Sequence, residues 1–166
     1  EFVSRFTGAT YFEQLLSKNR PDSAVLGPYD LPLLRDKGEF RRKDAGYLTS
    51  VHFAFLDEVG KASPTLGHDL LAALNERVKH EVNGQRSTKD IPLHSAFTAS
   101  NELPAAESED EAALWDRLLV RCVVDYIQSP AYFKGLMERG DAAPKATTLT
   151  YAQLVEATDE VARVVI

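Results

Sequence analysis

The run Val51-His-Phe-Ala-Phe-Leu-Asp57-Glu58 constrains the fold more than any other segment of the chain. Its apolar stretch is of strand length and shows no polar alternation, the pattern of a strand covered on both faces in a parallel sheet. It then ends in two adjacent carboxylates. Ligands bind beyond the carboxyl ends of the strands in open α/β sheets, so the spacing predicts that Asp57 and Glu58 stand at a ligand-binding edge. Two carboxylates there suit nucleotide hydrolysis, with Asp57 holding Mg²⁺ directly or through water and Glu58 orienting or deprotonating an attacking water. The plainer alternative is that the pair caps the helix that follows, because acidic side chains favour helix N-termini.

Two later segments favour the catalytic reading. After a helix-like stretch from Ala62 to Arg77, a second short strand, Ser95-Ala-Phe-Thr-Ala-Ser100, runs into Asn101-Glu102-Leu103-Pro104. An amide at Asn101, on the same edge as Asp57, can hydrogen-bond a terminal phosphate or the attacking water. Ala112 to Arg121 is predicted to be a short amphipathic helix interrupted by charge. Arg117 suits a finger acting on a neighbour's nucleotide, since a guanidinium matches phosphoryl oxygens bidentately and such fingers contribute roughly 10³ to 10⁵ in rate. The alternative for Arg117 and Arg121 is surface ion pairing with Asp116, Glu111 or Asp125, worth about 0 to 1 kcal/mol.

Taken in order, Tyr11-Phe12-Glu13-Gln-Leu-Leu, Leu26-Gly27-Pro28-Tyr29, Gly46-Tyr47-Leu48, Phe55-Leu56-Asp57-Glu58, Leu74-Asn75-Glu76-Arg77, Ala99-Ser100-Asn101-Glu102-Leu103-Pro104 and Leu114-Trp115-Asp116-Arg117-Leu118 resemble the MoxR branch of AAA+ ATPases, and its RavA-type members in particular. The similarity runs from about Thr10 to Phe133. It implies an α/β fold, an AAA+ P-loop-type core with a parallel central sheet flanked by helices, incomplete at both ends. By position, Asp57 and Glu58 match the Walker B pair, Asn101 matches sensor 1 and Arg117 matches the arginine finger. The implied cofactors are ATP and Mg²⁺. The implied partners are further copies of the chain, in a ring that is usually hexameric, and a protein carrying a von Willebrand factor A domain, remodelled in a chaperone-like way. Gly27-Pro28 through Leu48 resembles a β-hairpin-like insert facing the ring pore, and Asn75-Glu76-Arg77 a family segment to which only a structural role is assigned.

The sequence also departs from the family pattern. No G-x-x-x-x-G-K-[ST] string, the glycine-rich phosphate cradle, occurs in the 166 residues, and the lone Gly60-Lys61 pair has Phe55 where that pattern needs its first glycine. The resemblance places the P-loop just upstream of Glu1, and a helical lid with a second sensor arginine after Ile166. Residues 1–140 are then a partial AAA+ core and 141–166 a linker with the start of the lid. A different class of function stays open beside the ATPase: a non-hydrolysing scaffold or interaction module that keeps only the AAA+ shape.

The remaining features narrow the reading. With 44% apolar residues, a chain of 166 can bury a substantial core as one domain. A net charge of -6 argues against nucleic acid and anionic membranes as partners; with no ~20-residue apolar run for insertion and one cysteine, which fits a reducing compartment, a cytoplasmic location is expected. Cys122 lies in the apolar, strand-like Val120–Val124 and is expected to be a buried structural thiol. The four histidines form no metal-ligand spacing. Glu1 to Ser17 is read as helical with a break at Thr7-Gly8, where a short strand begins; the mixed-charge stretch Arg35 to Asp44 as a solvated hairpin; Lys79 to Pro92, around Asn83-Gly84, as a β-hairpin; and Glu107 to Glu111 as an acidic helix opening. Helices are expected from Pro130 to near Gly140 and from Tyr151 to Val164.

Overall fold

Val51 to Asp57 does form the middle of a parallel sheet, whose ladder proper is β2 (Phe53–Asp57). In the computed structural model, which describes residues 8–78, 91–102, 109–139 and 149–164, with the backbone alone at 109–111 and 139, β2 lies between β1 (Tyr11–Leu15) and β3 (Ser95–Thr98). Residues 1–7 of the stretch read as helical, the hairpin around Asn83-Gly84 and the linker at 141–148 fall outside those residues; after the break at Thr7-Gly8 the stretch to Ser17 carries strand β1, not helix. Register runs from Tyr11↔Phe53 to Leu15↔Asp57 on one side and from Phe53↔Ser95 to Leu56↔Thr98 on the other. All three strands therefore end at one edge. Phe53, Ala54 and Leu56 are buried, as expected for a strand covered on both faces.

A helix packs into the core behind that edge. Ser63 caps α3 (Pro64–Leu71), its Oγ accepting from Leu66 N at 3.2 Å, and Pro64 starts the helix with the φ it already prefers. Leu66 and Leu70, one turn apart, are fully buried in the core with Leu56 and Val59. Truncating a leucine at such a position costs about 2–5 kcal/mol. The helix then widens into one π turn, Ala72–Glu76, and stops at Arg77 in the left-handed region (φ 57°). There Arg77 O accepts from Ile91 N at 2.7 Å, and burial lowers the pKa of its guanidinium.

The insert between β1 and β2 is not simply the expected hairpin. Asp30 caps α2 (Leu31–Lys37), Pro32 sits in its first turn and Gly38 ends it in the left-handed region, so Arg35 and Lys37 are helical. Hairpin character reduces to one antiparallel bridge, Tyr29↔Arg42, reinforced by the Arg42 guanidinium 4.6 Å over the Tyr29 ring and donating to Gly27 O at 2.9 Å. Upstream, a one-turn helix, α1 (Ser23–Leu26), buries Val25 and Leu26.

Cys122 does not lie in a buried strand. The helix α4 (Glu109–Asp116) ends before Arg117 and is anchored by buried Leu114; residues 118–129 then run without regular structure. Cys122 is exposed, and so are Leu119 (94%), Val124 (91%) and Tyr126 (94%). The run has strand composition, but strand preference is a preference for a pleated, half-buried surface. Among the described residues no strand offers it a ladder, since β3 pairs with β2 alone.

The helices α5 (Pro130–Arg139) and α6 (Tyr151–Ala162) lie where the sequence places them. A capping box between Thr150 and Gln153 opens α6, and the Tyr151 ring packs 4.1 Å from the His52 ring and 6.1 Å from that of Phe53. This contact is at the amino ends of the strands, away from Asp57.

Candidate functional site

Where β2 ends, the chain makes an abrupt turn that sets the carboxylates. Asp57 Oδ1 accepts from the Glu58 amide at 2.9 Å, and Glu58 itself adopts φ 54°, ψ 44°, a left-handed conformation that costs a residue with a Cβ roughly 1–2 kcal/mol. Neighbouring bonds hold it there: Val59 N donates to Ala99 O at 3.0 Å and Lys61 N to Glu58 O at 2.8 Å, closing the 3₁₀ turn Val59–Lys61. Strain of this kind gathers at functional sites. Neither carboxylate caps α3, because Ser63 does; the capping alternative is thereby removed.

The strained turn aims Glu58 across to the next strand. Asn101 Nδ2 donates to Glu58 Oε1 at 2.6 Å, joining two residues that stand beyond the ends of adjacent parallel strands. Glu58 Oε2 is buried without a directed hydrogen bond and faces Lys61 Nζ at 3.2 Å. The ends of the two strands are stitched by Ala99 N donating to Leu56 O at 3.1 Å, and Ser100 Oγ donates to Glu102 O at 2.9 Å beside the Asn101 backbone. Asp57, Glu58 and Asn101 therefore form one cluster at the carboxyl edge.

The predicted finger is not part of it. Arg117 lies in the turn just past α4, exposed, and among the described residues no hydrogen bond or ion pair ties its side chain to that cluster. Arg121 follows the plainer of its two readings: its guanidinium donates to Trp115 O at 2.8 Å and Leu118 O at 3.0 Å and lies 3.9 Å from Asp116, satisfying the carbonyl end of α4. Lys61 is the residue that sequence reasoning missed. The available signal was its spacing of three from Glu58, which in a tight turn brings opposite charges together.

The donor set fits Mg²⁺ in the way nucleotide sites use it. Mg²⁺ usually takes one or two protein carboxylates and completes its shell with phosphate oxygens and water, and half-buried Asp57 commits Oδ1 to a backbone amide, which leaves Oδ2 for a cation. Among the described residues no group of three or more His, Cys, Asp or Glu side chains gathers as an all-protein metal cage. No helix of the described residues is long and apolar enough to cross a membrane.

Residues 1–164 match the model of a family described as the MoxR domain in the MoxR-vWA-beta-propeller ternary systems. Two uncharacterized proteins of Methanocaldococcus jannaschii are 37% identical over 152 residues and 42% identical over 127 residues, covering 92% and 76% of this chain. The chain spans only 39% and 33% of those proteins. A crystal structure of a candidate ATPase from Cytophaga hutchinsonii superposes with a TM-score of 0.62 at 13% identity, over 98% of this chain and 49% of that one, a likeness of fold.

Proposed function

The chain belongs to the MoxR family of AAA+ proteins, and from that premise we propose that it forms part of a Mg²⁺-dependent ATPase that remodels protein complexes. The observation that carries this reading is the Asn101–Glu58 hydrogen bond of 2.6 Å at the carboxyl edge of two parallel strands. Asp57 is the carboxylate that would hold the cation, which when bound supplies charge neutralisation at the phosphates. Glu58 orients the attacking water and draws its proton. The Asn101 amide has two N–H groups; one engages Glu58, and the other is free to address the terminal phosphate or that water.

Arg117 then serves a neighbouring copy in a ring, a reading supported by its exposure and by its separation from its own subunit's cluster. The family description names a von Willebrand factor A protein and a β-propeller protein as companions, so a von Willebrand factor A protein is the proposed client or adaptor. No G-x-x-x-x-G-K-[ST] string lies within the 166 residues, so ATP binding is the part of this proposal that most needs its own test.

The test uses the full-length polypeptide that contains this chain. Glu58→Gln keeps the shape and removes the base, so ATP should still bind, while turnover falls about 10²- to 10⁴-fold. Unchanged turnover would refute the assignment. Nucleotide-independent association with the von Willebrand factor A partner, together with no ATP binding by the wild type, would instead favour a scaffold.

A further inference from the structure

The pair Gly60-Lys61 mimics the tail of a phosphate loop in sequence, yet its place in the fold is on Glu58. The 3₁₀ turn Val59–Lys61 is closed by Lys61 N donating to Glu58 O at 2.8 Å, which brings the two residues together. The Lys61 ammonium accordingly returns to within 3.2 Å of Glu58 Oε2. That oxygen is buried and has no directed hydrogen bond, and the Glu58 side chain is only 15% exposed. The opposite oxygen, Oε1, takes the Asn101 amide at 2.6 Å. With the Asn101 amide bonded to Oε1 and the Lys61 charge facing the buried Oε2, the carboxylate is restrained from both sides, while Oε1 keeps a second lone pair for water.

Glycine at position 60 lets the turn lie this close. A Cβ there would stand 3.1 Å from Ser100 Oγ, the hydroxyl that binds Glu102 O beside Asn101. The Lys61 ammonium and the Asn101 amide thus reach Glu58 from two elements packed against each other.

We propose that Lys61 is a positioning residue for Glu58: its ammonium holds Oε2 as the Asn101 amide holds Oε1, setting the carboxylate plane before nucleotide arrives. This rests on the reading of Glu58 as the hydrolytic carboxylate. Lys61 acts through Glu58 and need not touch the substrate. Misplacing a catalytic group by about 1 Å costs on the order of 100-fold, so losing one of two restraints should cost roughly 10- to 100-fold in kcat.

Two measurements test this on the full-length polypeptide. In the first, without nucleotide, the side-chain amide NMR resonance of Asn101 should move in Lys61→Met and return towards its wild-type position in Lys61→Arg. In the second, with Mg²⁺ and ATP, Lys61→Met should lose kcat with KM nearly kept, and Lys61→Arg should recover most of it. If Lys61→Met fails to fold, Lys61→Gln replaces it in both measurements. The proposal falls if the Asn101 resonance stays in place, if kcat stays within about twofold of wild type, or if arginine rescues neither quantity. A Glu58→Gln protein that still turns over ATP would sink the ATPase reading itself, whereas a dead Glu58→Gln beside a fully active Lys61→Met overturns the role of Lys61 alone.

Discussion

Glu58 and Asn101, separated by 43 residues in sequence, meet at 2.6 Å because β2 and β3 are parallel and end in register at one edge. The contact depends on a backbone conformation as well as on side chains, since Glu58 reaches Asn101 from the left-handed region.

That geometry predicts an order among Asn101 variants. Asn101→Ala removes one restraint and one donor, whereas Asn101→Asp sets a second carboxylate where a donor at 2.6 Å stood. Like charges at that range repel strongly in a partly buried site. In steady-state assays on the full-length polypeptide, Asn101→Asp should therefore lose more kcat than Asn101→Ala. The reverse order would mean that the amide serves only as a spacer.

Gly27 makes a separate stability prediction. It sits at φ +89°, and a Cβ built on it would lie 1.9 Å from the backbone oxygen of Lys43, in the strand-like return held by Lys43 N donating to Pro28 O at 2.8 Å. A backbone carbonyl cannot rotate away as a side chain can. Gly27→Ala should cost about 2–4 kcal/mol from overpacking and backbone strain. Gly8→Ala, also at positive φ (+84°) but facing open space, should cost only about 1–2 kcal/mol. Urea denaturation of the two variants side by side checks the difference.

The irregular run after α4 yields a chemical test. Cys122 is exposed among exposed Val120, Val123 and Val124, so in the 166-residue chain its thiol should react with a maleimide as fast in buffer as in denaturant. Large exposed apolar patches favour association. Val123→Asp with Val124→Asp should accordingly reduce binding of a hydrophobic dye and self-association measured by light scattering. A thiol protected in buffer would show instead that this run is covered.

Much of the sheet was legible from residues alone because its signals are local. An uninterrupted apolar run marks a central strand, and the polar residues that end two such runs, Asp57-Glu58 and Asn101, mark its carboxyl edge. Other features were illegible because they depend on partners distant in sequence. Val120–Val124 reads as a strand by composition, but a strand exists only with a ladder. The helix expected to reach Arg121 stops at Asp116, with the Arg121 guanidinium on the Trp115 carbonyl of its last turn and on that of Leu118 just beyond it. No residue type announced that Glu58 would be left-handed, and the three-residue spacing of Lys61 from Glu58 brings the two together only once the turn has packed against Ala99 and Ser100.

Arg117 carries the most demanding prediction. It follows α4, which Leu114 anchors in the core, so its position is set by a fixed element while its side chain is exposed. A guanidinium that served its own subunit's phosphate would be expected near Asp57 and Asn101, and among the described residues nothing links it to them. If it completes a neighbour's site instead, Arg117→Ala should bind ATP nearly as wild type does and lose roughly 10³- to 10⁵-fold in kcat. Mixing it with Glu58→Gln protein gives the decisive arrangement. Each variant is inactive by itself, but in a mixed ring an intact Glu58 from the Arg117→Ala subunit can meet an intact Arg117 from the Glu58→Gln subunit. Partial return of ATP turnover in rings shown by mass to contain both variants is the expected result. Mixed rings that stay inactive would return Arg117 to the class of surface arginines, worth about 0 to 1 kcal/mol in ion pairing.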